Sequence, residues 1–280
     1  MGVKGDFEMK EIVSICVVTY NNAKYVEETL DSIKNQTYKD IELIISDDNS
    51  TDDTLLKVNN WVEKNKDRFV NVKVITSDKN TGVTANCNRA VKASSGQFVK
   101  TFGDDILKPT YVEVCVDFFN STPDAEVFCT DMEYFYPEGK FEFLQKDIDY
   151  DFFKLSAKEQ YHRILKFYLP RYPTPSVIYK RIVFEKVGYF DESIPLWEDG
   201  PMYFKLAKNG IKVYMINDKL VDYRLLPTSA SNHRTKFTTI NACLYTLKYI
   251  CPGEIRVNPM KAILRYMKHL FLLTKYRYFM

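Results

Sequence analysis

Three places in this sequence put polar triplets, two of them with paired acids, directly after a short apolar run. They are Thr19-Tyr20-Asn21 after IVSICVV, Asp47-Asp48-Asn49 after IELIIS, and Gly103-Asp104-Asp105 after FVKTF. Adjacent carboxylates repel one another, and the apolar run ahead of Asp104-Asp105 makes their desolvation costlier. A divalent cation relieves both problems. Hard oxygen ligands suit Mg²⁺ or Mn²⁺, which take one or two protein carboxylates and complete their shell with water and phosphate oxygens. The chain has no HExxH motif and no Cys/His cluster, so zinc is a poor choice and a metal-bound diphosphate a better one. Asp and Asn are also favoured in turns and helix caps, so Asp47–Asp53 alone could serve only to end a strand and open a helix. Three such ends together weigh more than any one of them.

The elements around these residues alternate. Residues 12–18 and 41–46 are short, β-branched and almost wholly apolar, as strands buried on both faces of a parallel sheet would be. Between them 24–36 carries Val26, Leu30 and Ile33 at helical spacing. Ser50 and Asp53 resemble a capping box opening the next helix. A strand at 72–76, a helix at 84–93 and a strand at 97–102 follow, the rhythm of right-handed βαβ units. In such a sheet ligands bind outside the carboxyl ends of the strands, where the three polar triplets fall. After residue 105 the rhythm changes. Pro109 can open a helix through 119, a strand is expected near 126–131, and 134–160 reads as an aperiodic excursion. Residues 176–179 and 211–216 look extended, 181–187 and 200–208 helical. Two amphipathic helices, 235–250 and 259–275, close the chain.

Composition narrows the class. The chain has 280 residues, 45% hydrophobic and 27% charged, the mix of a folded globular protein. Its 39 basic and 37 acidic residues leave a formal charge of +2, too little to suggest nucleic acid. No apolar run approaches the ~20 residues that cross a bilayer, and MGVKGDFEMK is no apolar leader. A secreted or spanning protein is therefore not expected. The six cysteines form no CxxC pair and read as reduced, buried thiols, which favours the cytoplasm. Charge is unevenly spread: residues 255–280 hold six basic side chains and no acid. Met260, Ile263, Leu264, Met267, Leu270 and Phe271 recur there at helical spacing, with Lys261, Arg265 and Lys268 on another face. Such a helix (259–278) can lie peripherally on an anionic membrane, at the inner face of the cell membrane, or pack its apolar face on the rest of the protein.

The runs VSICVVTYNN at 13–22, QTYKDIELIISDDNSTDDT at 36–54, NTGVTANCNRA at 80–90 and SGQFVKTFGDDIL at 95–107 resemble the inverting glycosyltransferase family 2. VGYFDE at 187–192 and WEDGPMYFKLAKNG at 197–210 look like that family's acceptor-side motif. The resemblance implies an α/β fold of the GT-A type: a Rossmann-like, mostly parallel sheet flanked by helices, with a C-terminal helical extension. It divides the chain into a glycosyltransferase domain at 10–225 (nucleotide-sugar half 10–107, acceptor half 108–225) and an extension at 226–280. Carried over residue by residue, Thr19, Tyr20 and Asn21 border the nucleotide, with Tyr20 against the base. Asp48 accepts a hydrogen bond from a uracil imide. Asn80, Gly82 and Asn88 shape the donor pocket wall, Gly82 having a sufficient structural reason in a positive φ. Asp104 and Asp105 stand in the place of the DXD motif, contacting ribose and metal-bound diphosphate, although Phe102 replaces its first acid. Glu198-Asp199 occupies the ED position, Asp199 aligning with the base that an alcohol nucleophile needs. Arg224 and His233 fall where a diphosphate-contacting group is often found.

The reading that results is a metal-dependent inverting transferase moving a sugar from a UDP-sugar to a hydroxyl of a glycan or lipid-linked acceptor, in cell-surface polysaccharide synthesis. A sugar nucleotidyltransferase would need a Gly-rich basic loop after the first strand, where this chain has TYNNAKY. A silent nucleotide- or glycan-binding module remains as the alternative, against which the intact Asp48, Asp104, Asp105 and Asp199 speak.

Overall fold

Strand β1 (Val13–Thr19) sends alternate side chains to opposite faces of a sheet: Val13, Ile15 and Val17 join one apolar cluster, while Cys16 joins another. A strand apolar on both faces must be covered on both, and helices do so. The computed structural model describes residues 11–136, 148–167, 172–226 and 236–278. After β1 come α1 (Val26–Lys34), β2 (Ile41–Asp47), α2 (Thr54–Asn65), β3 (Asn71–Thr76), α3 (Val83–Ala93) and β4 (Phe98–Phe102). β3, β2, β1 and β4 pair in parallel in that spatial order. The parallel βαβ half is therefore laid out as the hydrophobic pattern predicts.

The second half completes the sheet with mixed directions. It contains β5 (Ile106–Leu107), α4 (Tyr111–Ser121), β6 (Val127–Phe135), α5 (Tyr150–Lys154), α6 (Ala157–Phe167), β7 (Ile178–Lys180), α7 (Ile182–Val187), α8 (Asp199–Lys208) and β8 (Val213–Arg224). The short β7 lies antiparallel between β4 and β6, β8 runs parallel to β6, and β5 closes the edge antiparallel to β8. β6 and β8 both run well past the expected 126–131 and 211–216, because each supplies the other's backbone partners across a register shift at Thr130–Met132. Helices α1, α2 and α4 cover one face around Leu30, Trp61 and Phe119. Helices α3, α6, α7 and α8 cover the other around Val91, Leu165, Phe184 and Leu206.

Four local expectations are corrected. Ser50 and Asp53 form no capping box: α2 starts without a side-chain cap, and Ser50 spends its N–H and hydroxyl on the Asp47 carboxylate. Helix α4 opens at Tyr111 rather than Pro109, whose carbonyl accepts the Thr37 N–H. The 134–160 stretch carries the end of β6, α5 and the start of α6, with 137–147 outside the described residues. In place of two terminal helices there are α9 (Lys236–Tyr245), a π-helical stretch Thr246–Ile250, α10 (Cys251–Glu254) and α11 (Pro259–Tyr278). Tyr245 and Ile250 are wholly buried in the second cluster. All six cysteines are buried and unpaired. At the sheet's far end the buried Glu42 accepts hydrogen bonds from the Ser14 hydroxyl (2.6 Å), the Ser95 N–H (2.6 Å) and hydroxyl (2.9 Å) and Asn71 (3.1 Å).

Candidate active site

The carboxyl ends of β2, β1 and β4 lie side by side, and two left-handed asparagines turn the chain there. Asn21 has φ 49° and Asn49 φ 66°, a region that Asn enters more readily than most other side chains. The Thr19 hydroxyl donates to Asp47 (2.9 Å), the Asn21 N–H to Ser50 Oγ (2.8 Å), and the Thr51 N–H to Asn21 Oδ1 (2.8 Å). Thr19, Asn21 and Asp47 thus hold two loops against each other. Tyr20 is left 48% exposed at the tip.

Asp48 is buried and its carboxylate is full. Oδ2 accepts the Thr81 and Gly82 N–H groups (2.8 and 2.7 Å), and Oδ1 accepts the Thr81 hydroxyl (2.6 Å) and the Arg89 guanidinium (3.0 Å). Burial alone would raise this carboxyl, but the bonds from Thr81, Arg89 and Gly82 outweigh it and hold the group below the usual range. Four bonds occupy the four lone-pair sites of a carboxylate. The Thr81 hydroxyl and Arg89 are the donors able to yield to a ligand without backbone movement. Gly82 sits at φ 90°, where a side chain is strained, and its N–H also meets Asn80 Oδ1.

The Asp104–Asp105 pair is held from behind by Arg224. Its backbone N–H donates to Asp105 Oδ1 (2.8 Å), its Nε to the Asp104 carbonyl (2.7 Å), and its Nη2 to Glu28 (2.7 Å). Tyr25 and Phe135 rings flank the guanidinium at 4.4 and 4.8 Å. Burial, then the charge of Asp104, push the Asp105 carboxyl up to about 7, and burial raises Asp104 as well. Beneath them Lys100 is wholly buried, donating to the carbonyls of Thr101 and Pro175. Burial brings its ammonium down to about 8, with Asp105 acting in the opposite direction.

A crevice of about 700 Å³ opens beside Asp105, and Trp197, Glu198 and Asp199 form part of its wall. Asp199 stands at the start of α8, accepting the Gly200 N–H (2.7 Å) and the Thr174 hydroxyl (3.1 Å). Burial raises both carboxyls of the pair, and the charge of Asp199 adds to the rise at Glu198, which reaches about 8. The Thr174 hydroxyl and the Gly200 N–H favour the ionised form of Asp199, against its burial. Tyr134, Tyr172, Tyr203 and Tyr223 supply aromatic surface to the same crevice.

The fold thus brings Gly103, Asp105, Glu198 and Asp199 to one cavity. The other predicted residues, Thr19, Tyr20, Asn21, Asp48, Asn80, Gly82, Asn88, Asp104 and Arg224, do not line it. Asn88 is buried and clamps α3 to the 190–192 segment, donating to the Phe190 carbonyl and Glu192 and accepting the Phe190 N–H. Arg224 is 3% exposed, with its N–H, Nε and Nη2 given to the acid loop and Glu28. His233 lies outside the described residues. Sequence reading missed Thr174, Arg89 and Lys100. Only Lys100 carries a sequence signal, as a cation inside an otherwise apolar strand.

Two hard carboxylates without enough cationic compensation, one of them on the crevice wall, fit a small oxygen-loving divalent ion. Among the described residues no group of three or more His, Cys, Asp or Glu gathers as a self-sufficient site. Such an ion would draw its remaining ligands from water and a diphosphate.

The profile of glycosyl transferase family 2 matches residues 14–188. Over 120 residues the chain is 37% identical to the chondroitin synthase of Escherichia coli, a span of 42% of this chain and 16% of that enzyme. Staphylococcus aureus TarS 1–349, solved with UDP, superposes at a TM-score of 0.64 with 21% identity, covering 94% of this chain and 70% of that one. The mannosyltransferase PcManGT of Pyrobaculum calidifontis, solved with GDP-Man and Mn²⁺, superposes at 0.61 with 16% identity, covering 95% and 72%. At these identities the two structures carry the fold, a GT-A sheet and its helices.

Proposed function

This chain belongs to glycosyl transferase family 2 and is a glycosyltransferase, and from that premise we propose that it moves a sugar from a UDP-sugar to a glycan or lipid-linked hydroxyl with inversion. The catalytic unit is residues 10–225, with 226–280 a helical extension packed into its core through Tyr245 and Ile250. The observation that carries the reading is the shared crevice of Asp105 and the Glu198–Asp199 pair.

An alcohol is a weak nucleophile at neutral pH, so its proton must be taken as it attacks. Asp199 is the base: its carboxylate is oriented by Thr174 and Gly200 and made more basic by burial. One attack at the anomeric carbon forms the new glycosidic bond, breaks the bond to the diphosphate and inverts the centre. Tyr20 covers the nucleotide base, and Asp48 meets a uracil imide when the Thr81 hydroxyl rotates away. Asp105, with Asp104, would hold Mn²⁺ or Mg²⁺, which stabilises charge gathering on the leaving diphosphate. UDP as the nucleotide is supported by the TarS complex, manganese by the PcManGT complex, and a polysaccharide product by chondroitin synthase.

The test is a donor panel scored by release of nucleoside diphosphate, with and without Mn²⁺, on the wild-type chain and on Asp199→Asn. Metal-dependent turnover of a UDP-sugar, lost in Asp199→Asn while UDP binding persists, is expected. Unchanged transfer by that variant, or UDP binding with no turnover of any donor, would overturn the proposal.

A further inference from the structure

We propose that the outward face of α11 is a docking site for an anionic lipid surface, with the helix lying in the plane of the interface. Of the fourteen large apolar side chains exposed among the described residues, nine lie between Ile255 and Phe271. That concentration is a patch, not scatter. Within α11 the outward residues are Met260, Ile263, Leu264, Met267, Leu270 and Phe271, each 41–69% exposed.

The roll of the helix is set by its inner side. Ala262 is buried against the protein, and Glu254 of α10 pairs with Lys261 (3.4 Å) and Arg265 (3.2 Å). With those contacts made, the apolar stripe faces solvent, and the expectation that it could pack on the protein's own body is set aside.

Charge selects the occupant. Residues 255–280 carry no acid and six bases, of which Lys268 and Lys275 are exposed along α11. Two copies paired through this face would set these basic segments against each other, whereas anionic headgroups complement them. An amphipathic helix with basic flanks rests its apolar face ~5–10 Å into the headgroup boundary. Among the described residues no helix is long and apolar enough to cross a membrane, so the contact is interfacial. Helix α11 packs against α9, whose Thr238 lines the crevice, so one helix separates the docking face from the cavity wall. The inference rests on the surface alone and holds whether or not the catalytic reading does.

The test is co-sedimentation of the full chain, without donor, with vesicles of phosphatidylcholine plus phosphatidylglycerol and of phosphatidylcholine alone. Binding to the mixed vesicles that weakens with salt is expected. Lys268→Ala with Lys275→Ala should lower partitioning about 30-fold, from ~1 kcal/mol per basic residue. Met267→Ser with Phe271→Ser should abolish it, both pairs keeping the wild-type melting temperature because the positions are exposed. Equal binding to neutral vesicles, indifference to the lysine changes, or no sedimentation would overturn the proposal. So would a dimer, seen by light scattering, that Met267→Ser with Phe271→Ser dissolves.

Discussion

Thr174→Val tests the proposed base through a neighbour on the crevice wall that donates to it. The change is nearly isosteric and removes the Thr174 hydroxyl that donates to Asp199 Oδ2 at 3.1 Å. Hydrogen bonds to charged groups contribute about 1.5–3 kcal/mol, and a bond this long belongs at the low end, about 1.5 kcal/mol. At 1.36 kcal/mol per unit, losing it raises the Asp199 carboxyl by about one pKa unit. The base must be ionised to act, so the acid limb of kcat/KM should move up by about one unit. Transfer would then fall about ten-fold below that limb and recover as pH rises. Glu198 and Asp199 titrate together, so the limb reports the pair. The assay is a pH–rate profile on a fixed donor, beside UDP binding in Mn²⁺, which should not change. Thr174→Ser should restore the wild-type limb. A rate lowered equally at every pH, with the limb in place, would mean that Thr174 only packs the turn and that the argument for Asp199 through it fails.

Asp105→Asn keeps the acceptor that Arg224 N–H uses and removes a buried charge beside Asp104. The metal-free protein should gain about 0.5–2 kcal/mol in thermal unfolding while losing the extra stabilisation that UDP with Mn²⁺ confers; a variant still stabilised by Mn²⁺ would exclude Asp105 as a ligand. Asp191 accepts from Lys248 (2.6 Å), Tyr249 (2.6 Å) and Ser193, and these donors overcome its burial to bring it to about 2. Its folded pKa lies below its unfolded value, so its contribution is complete above pH 4 and is lost as pH falls towards 2. Asp191→Asn should cost about 2 kcal/mol at neutral pH, discounted for the half-exposed Lys248, and flatten that part of the urea-stability curve against pH. Glu42→Gln puts a donor where Ser14 and Ser95 donate, and should cost about 1–3 kcal/mol in urea unfolding; wild-type stability would show that the network adjusts.

Much of the parallel half was legible because its signals are local. Strands apolar on both faces, helices with a single apolar stripe, and Asp or Asn at each strand end specify period and polarity within a few residues. The site residues were legible as types, but their partners were not. Nothing near Asp48 announces that Thr81, Gly82 and Arg89 will fill its carboxylate from 33 to 41 positions away. Nothing near Arg224 announces that it will brace an acid loop some 120 positions earlier.

By itself, the sequence determined the alternation of β1 to β4, the paired acids at the carboxyl ends of β2 and β4, and the stripe on α11. Tertiary structure alone decided that three-residue β7 would wedge antiparallel between β4 and β6, and that β6 would pair with β8. It likewise decided that Thr174 would reach Asp199 and that α11 would turn its apolar side to solvent. A repeating pattern tells each segment which face to bury. Which distant segment buries it depends on sheet register, loop closure and the pairing of charges such as Glu254 with Arg265, none of which is written in any one stretch of chain.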